Sequence, residues 1–179
     1  IKSTLERGEF FGESSLLSGR PRSEKAIAGE NCILVETPRR TMVKLMNSND
    51  EVRSGIDWIF VVRELQRHFA PYAPLRDLRD IGSRVTTRQF DAGETVYAEG
   101  EEGAALFIIR SGAATLRREI DGRDTLVSQL RAGDLFGQMS LMGDGIRRDT
   151  AMATVAMDVI EVARPEFLDV DAVVHHGNG

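Results

Sequence analysis

The sequence predicts a mainly β fold, a double-stranded β-helix of the jelly-roll type (a β-roll) with flanking α-helices. It occurs as two related units, the first of them truncated. Three observations carry this prediction. Short β-type runs separated by glycine turns recur about every ten residues through the second half of the chain. A gapless internal repeat joins the two ends. Between them lies one segment of clear helical periodicity.

Sliding the sequence by 125 positions lays residues 1–42 on residues 126–167, and 12 of the 42 pairs are identical. Random pairing at ordinary residue frequencies would give roughly two or three. Gly8-Glu9-Phe10-Phe11-Gly12-Glu13 falls on Gly133-Asp134-Leu135-Phe136-Gly137-Gln138. Ser15-Leu16 meets Ser140-Leu141, Arg22 meets Arg147, and Ala26 and Ala28 meet Ala151 and Ala153. Residues 83–125, the front half of the second unit, have no counterpart ahead of Ile1, so the chain is expected to begin inside a unit. The expected organisation is residues 1–46 as the back half of a first roll, 47–74 as a connecting long helix and linker, 75–170 as a second roll and 171–179 as a tail.

The elements follow in order. Cys32, which the repeat aligns with Met157 in an apolar run, is expected in a core. Over residues 49–69, Asn49 or Ser48 can cap a helix, Asp50 and Glu51 suit its positive end, and Pro71 follows it. Val52, Ile56, Ile59 and Phe60 recur at helical spacing, with Trp58, Val61, Leu65 and Phe69 beside them. So wide an apolar sector predicts packing on two sides. Arg53, Arg63 and Arg67 read as its solvated face. After Ala70-Pro71-Tyr72-Ala73-Pro74, the residues Leu75, Leu78 and Ile81 predict a short lead-in helix. Strands are then expected at residues 85–90, 95–97, 106–110, 114–120 and 126–130, with Asp121-Gly122 as a two-residue hairpin turn.

Composition narrows the class. Apolar content of 41% and charged content of 28% describe a globular rather than a disordered chain. No apolar run approaches a membrane span, no leader sequence opens the chain, and a lone cysteine can form no internal disulfide, so a cytoplasmic setting is expected. The net charge of −5 disfavours broad attraction to nucleic acid.

One cassette is repeated: Phe-Gly-Glu/Gln, a Ser-Leu pair, a loop, then an arginine ten residues after the glycine and Ala-x-Ala beyond it. A glycine opening a short helix lets backbone N–H groups approach an anion at that helix's positive end. An arginine on the following strand offers an always-charged fork for phosphate oxygens. A carboxylate beside the glycine can accept a hydrogen bond from a ribose hydroxyl.

At these residues the chain resembles the cyclic-nucleotide-binding domain family, including kinase regulatory subunits and catabolite-activator-like sensors. The family's phosphate-binding cassette reads F-G-E-x-x-L and then R-[ST]-A. Residues 90–100 resemble its F-x-x-G-x-x-I-x-x-x-G stretch, and residues 105–112 its A-L-Y-I-I-x-x-G strand. The resemblance implies a regulatory ligand, cAMP or cGMP, no catalytic residue, no metal and no other cofactor. It implies ligand contacts from Gly12, Glu13, Ser14, Arg22 and Ser23 in the first unit. In the second, they are Gly137, Gln138, Met139, Ser140, Arg147 and Arg148. It also implies a helix that closes over the base, a position held by residues 49–69 for the first unit.

Both cassettes depart from the pattern. Gln138 stands where the family has a glutamate, trading a charged hydrogen bond of about 1.5–3 kcal/mol for one nearer 1 kcal/mol. Glu24 and Asp149 stand where it has a small alanine, and a carboxylate facing a phosphate there would repel it. Two readings remain: a module that senses a cyclic nucleotide and controls a protein effector, or a degenerate, ligand-free roll serving protein interaction or dimerisation. In the second, Arg22 and Arg147 are satisfied by Glu24, Asp149 or other internal groups. A cupin-like metalloenzyme would need histidines in the roll, whereas His68, His175 and His176 lie in the helix and tail. A DNA-binding activator would need a helix-turn-helix, which residues 168–179 are too short to hold.

Overall fold

A computed structural model describes residues 4–22, 24–69 and 85–164. Ser23, the linker and lead-in helix expected over 70–81, and the tail lie outside the described residues. The helices are α1 (Glu13–Ser18), α2 (Arg39–Ser48), α3 (Asp50–Phe69) and α4 (Gln138–Met142). The strands are β1 (Thr86–Phe90), β2 (Thr95–Tyr97), β3 (Ala105–Ser111), β4 (Ala113–Ile120), β5 (Arg123–Arg131), β6 (Leu135–Phe136), β7 (Thr150–Ala153) and β8 (Met157–Ala163). They form two antiparallel four-stranded sheets, ordered β1-β8-β3-β6 and β2-β7-β4-β5. The mainly β expectation is met, and each strand anticipated between residues 85 and 130 is found.

Strand alternation explains which residues fill the roll. Ala105, Phe107 and Ile109 of β3 point inward, where they meet Phe90, Tyr97, Phe136, Ala151, Ala153 and Val159. The intervening Leu106 and Ile108 point outward with Ile160 and Val162 of β8, and there they pack on Phe60, Val61, Val62 and Leu65 of α3. Covering by α3 is why β3 reads as an unbroken apolar run: both faces of the strand are buried. The β4–β5 turn has Asp121 at φ 53° and Gly122 at φ 71°, the hairpin geometry expected of Asp-Gly. Gly112, at φ 90°, joins β3 to β4 where a Cβ would lie 2.5 Å from the Ala156 carbonyl oxygen.

Helix α3 starts as expected, with Asn49 Oδ1 accepting the Val52 N–H at 3.0 Å. Leu17 of α1 packs on this same cluster, and α2 lies alongside α3. Asp57 is buried in the α3–roll interface and pairs with Arg110 of β3 at 3.2 Å. The expected boundary between residues 46 and 47 falls inside α2, which begins after Pro38 and breaks where Asn49 turns extended, at φ −146°.

Residues 4–46 depart from expectation. Among the described residues there, the structure has α1 and α2 but no strand. Ile27, Ile33 and Val35 are 76%, 97% and 91% exposed. Cys32 is exposed too, although its repeat partner Met157 is 2% exposed, so the core position expected for it is corrected. Pairing supplies the reason. By the repeat, residues 25–28 correspond to β7 and residues 32–38 to β8. Strand β7 is held by β2 and β4, and β8 by β1 and β3. All four of those partners come from residues 86–120, the part of the unit with no first-unit counterpart in this sequence. Strand propensity without a ladder partner leaves the segment irregular.

Two outcomes follow for stability. Phe60 is fully buried against the roll, so Phe60→Ala should cost about 3–5 kcal/mol in urea denaturation. A loss under about 1 kcal/mol would mean that α3 does not seal this face in solution. Burial holds the Asp57 carboxyl above its ordinary 3.8, partly offset by Arg110. A raised folded value means that the native state binds the extra proton, so stability falls as pH climbs from 3.8 through the raised value. Asp57→Asn should flatten that part of the pH–stability curve, and an unchanged slope would contradict it.

Candidate functional site

The two cassettes share their local geometry. Gly12 (φ 94°, ψ 4°) caps α1 and Gly137 (φ 79°, ψ 0°) caps α4, both in the left-handed region that glycine adopts without strain. Ser15 Oγ donates to the Gly12 carbonyl at 3.0 Å, and Ser140 Oγ donates to that of Gly137 at 3.0 Å. Ahead of each glycine, a carboxylate accepts a backbone N–H three residues back: Glu9 from Glu6 at 2.7 Å, Asp134 from Arg131 at 2.8 Å. Each glycine also lies under its arginine. A Cβ on Gly12 would overlap the Arg22 guanidinium, and one on Gly137 would sit 2.7 Å from Arg147 Nη1.

Beyond that shared frame the sites diverge. In the second, the Arg147 guanidinium is turned into the protein: Nη1 donates to the Gly137 carbonyl (2.8 Å) and to Ser140 Oγ (3.1 Å), and Nη2 donates to the Ala105 carbonyl (2.8 Å). The Tyr97 ring covers it, with its centroid 4.1 Å from Cζ, and Phe107 lies beyond at 5.5 Å. Arg147 is 5% exposed, and its burial lowers its pKa from the ordinary arginine range. The Nε, also buried, makes no hydrogen bond.

Asp149 shares the inward parity of Ala151 and Ala153, so the carboxylate faces this site. There it accepts a hydrogen bond from Tyr97 Oη at 2.9 Å and lies 3.8 Å from Arg118. Burial, with Asp149 adding to it, pushes the Tyr97 phenol up, so the hydroxyl stays a donor. Gln138 and Met139 line what is left, a cavity of about 70 Å³, and Arg148 is paired with Asp144 at 2.7 Å.

The first site is open. Gly12, Glu13, Ser14, Ser15, Arg22 and Glu24 line a cavity of about 600 Å³ whose far wall is Arg63, Gln66 and Arg67 of α3. Among the described residues no hydrogen bond or ion pair reaches the Arg22 side chain, so Glu24 does not neutralise it. Glu24 is 79% exposed at its side chain and leans on Arg67 at 3.5 Å. Glu13 is 4% exposed and its Oε2 receives Arg63 Nη1, while Arg63 Nη2 donates to the Phe10 carbonyl at 2.5 Å. Ser23 lies outside the described residues.

The arginines of α3 are not the solvated face the helical pattern implied. Arg53 donates to the Met46 carbonyl at 2.9 Å, Arg63 holds Glu13, and Arg67 Nη1 meets both oxygens of Glu64 at 3.0 and 3.1 Å. Glu64 is fully buried, and its carboxyl is raised by that burial against the opposing pull of Arg67 and His68. Arg63, Gln66 and Arg67 are therefore the site-lining residues that sequence reasoning missed. The available signal was Glu13 itself, a carboxylate in an apolar cassette that needs a counter-charge from elsewhere. No group of three or more His, Cys, Asp or Glu side chains gathers as a metal site among the described residues, and no helix there is long and apolar enough to cross a membrane.

Residues 1–49 and 87–172 match the family described as the cyclic nucleotide-binding domain. A cAMP-dependent protein kinase regulatory subunit of Mycosarcoma maydis is 29% identical over 157 residues, spanning 84% of this chain and 28% of that protein. The chain thus spans well under half the length of the curated relatives it matches. The regulatory domain of Toxoplasma gondii PKA, solved with cAMP, superposes with a TM-score of 0.58 at 25% identity, over 67% of this chain and 45% of that one. The catabolite activator protein of Thermus thermophilus gives 0.52 at 26% identity, over 63% and 53%. A mainly β roll with paired glycine–arginine cassettes, matched over most of its length in this way, belongs to the cyclic nucleotide-binding domain family.

Proposed function

We propose that this chain is a tandem cyclic-nucleotide sensor segment in which the first cassette takes the ligand, cAMP or cGMP, and α3 passes its occupancy on to a protein effector. The observation that carries the reading is the contrast between the cavities. About 600 Å³ with an uncommitted Arg22 lies within the range of small-molecule sites, roughly 300–1,000 Å³, whereas about 70 Å³ does not. In this reading Arg22 and the first N–H groups of α1 receive the phosphodiester, and Glu13 accepts a ribose hydroxyl. Arg63 keeps that carboxylate aimed. Gln66 and the stems of Arg63 and Arg67 face the base. The same helix rests Phe60 and Leu65 on the second roll, so any shift of α3 on binding is felt there.

The second roll fits the other reading, a ligand-free module for protein interaction or self-association. Its arginine already has three internal acceptors, and Asp149 faces the position a phosphate would need. Binding and relay, not catalysis, are the roles these residues support.

Calorimetric titration with cAMP should find a single site, with a Kd on the order of tens of micromolar or weaker. The cavity is covered by α1 and α3 but open elsewhere, which forgoes apolar burial of about 25 cal/mol per Å². Glu13→Ala should weaken binding by about tenfold or more, while Gln138→Ala should change it less than about twofold. The reverse ranking, or two sites, would overturn the assignment.

A further inference from the structure

We infer that Arg67 is a second anion-binding group of the first site, and that Glu24 is its internal stand-in, displaced when a cyclic phosphodiester enters. The inference rests on the first-site reading and goes beyond it by naming the specificity-determining pair.

The two nitrogens of Arg67 are used differently. Nη1 is anchored on both oxygens of Glu64, whose side chain is 1% exposed. A buried carboxylate cannot readily give up the guanidinium that bonds both its oxygens, so this end of Arg67 is fixed. Nη2 points to Glu24 Oε1 at 3.5 Å, longer than the 2.7–2.9 Å of a well-formed charged hydrogen bond. Glu24 belongs to the chain just after Arg22, is mostly in solvent, and contributes little by holding there. Both partners line the same cavity as Gly12 and Arg22. The arrangement is a cation pre-aimed by an immovable acid and provisionally neutralised by a movable one. An entering phosphodiester oxygen takes the place of Glu24 on Nη2 while Nη1 stays on Glu64, and no bond is made or broken covalently. This explains how Glu24, which looks prohibitive at the family's alanine position, is compatible with an anionic ligand: its exposed side chain swings into solvent as the ligand takes its place on Arg67.

The test is calorimetric titration of the chain with cAMP, and with adenosine as an uncharged probe, for the wild type, Glu24→Ala, Arg67→Ala, Arg67→Lys and the Glu24→Ala/Arg67→Ala pair. Glu24→Ala should tighten cAMP by about 3- to 10-fold, because the competing carboxylate is gone. It should leave adenosine unchanged. Arg67→Ala should weaken cAMP by a similar factor, Arg67→Lys should recover part of it, and in the double variant the gain from Glu24→Ala should vanish. Glu24 is exposed, so its variant reports binding without a folding defect. If cAMP binds but Glu24→Ala leaves it unchanged or weaker, tightens adenosine equally, or keeps its gain without Arg67, the stand-in role is wrong and the first-site reading survives. If no variant binds cAMP, the first-site reading fails and this inference fails with it.

Discussion

The rest of the structure depends on the seating of α3 on the outer face of β3 and β8. Phe60, Val61, Val62 and Leu65 remove that face from water, and without them Leu106, Ile108, Ile160 and Val162 would be an exposed apolar sheet. Burial there contributes at about 25 cal/mol per Å² of apolar surface removed from water. The Asp57–Arg110 pair adds orientation more than stability, since taking both charges out of water offsets much of their attraction. Once α3 is fixed there, it is fixed relative to α1. That is what brings Arg63 to Glu13 and Arg67 to the cavity wall. The site is therefore assembled by a helix whose position is decided by the roll.

The same glycine–arginine frame has two opposite outcomes, and polar accounting explains both. In the second unit the buried guanidinium has found carbonyls at Gly137 and Ala105, the Ser140 hydroxyl and the face of Tyr97. Any ligand would have to compete with all of them. Charged hydrogen bonds of this kind contribute about 1.5–3 kcal/mol each when lost from a buried group. In the Gly12 cassette no such acceptors are found among the described residues, and Arg22 lies over Gly12 beside the larger cavity.

Much of the fold could be read from the residues, for identifiable reasons. Asp121-Gly122 admits positive φ at both positions, so the β4–β5 hairpin was specified locally. The wide apolar sector of residues 49–69 forecast a helix covered on two sides. What the sequence could not show depended on distant partners. Cys32 and Ile33 have strand-like neighbours, but a strand forms only against a ladder, and the register of β8 with β1 and β3 shows which ladder is lacking. In the cassettes, the meeting of each glycine with its arginine was legible from spacing alone. Which arginine was already engaged was not, because Ala105 and Tyr97 reach Arg147 from about 40 and 50 residues away. The arginines of α3 read as solvated because a helical period reports which face is polar, not whether an acid from another element is waiting for it.

This bears on how a cassette arginine should be weighed. Removing the Arg147 side chain would leave the Gly137 and Ala105 carbonyls and Ser140 Oγ without their donor, in a site that Tyr97 and Phe107 keep dry. A roll can thus need its arginine as a cross-link between α4, β3 and the strand after the cassette, whether or not anything binds. Gly137 is needed on the same ground, since a Cβ would strike that cross-link. Presence of the glycine and arginine is then weak support for a ligand, and the informative quantity is what the guanidinium touches. By that measure the proposed sensing function rests on Arg22, which has no internal acceptor among the described residues and lines a cavity of about 600 Å³.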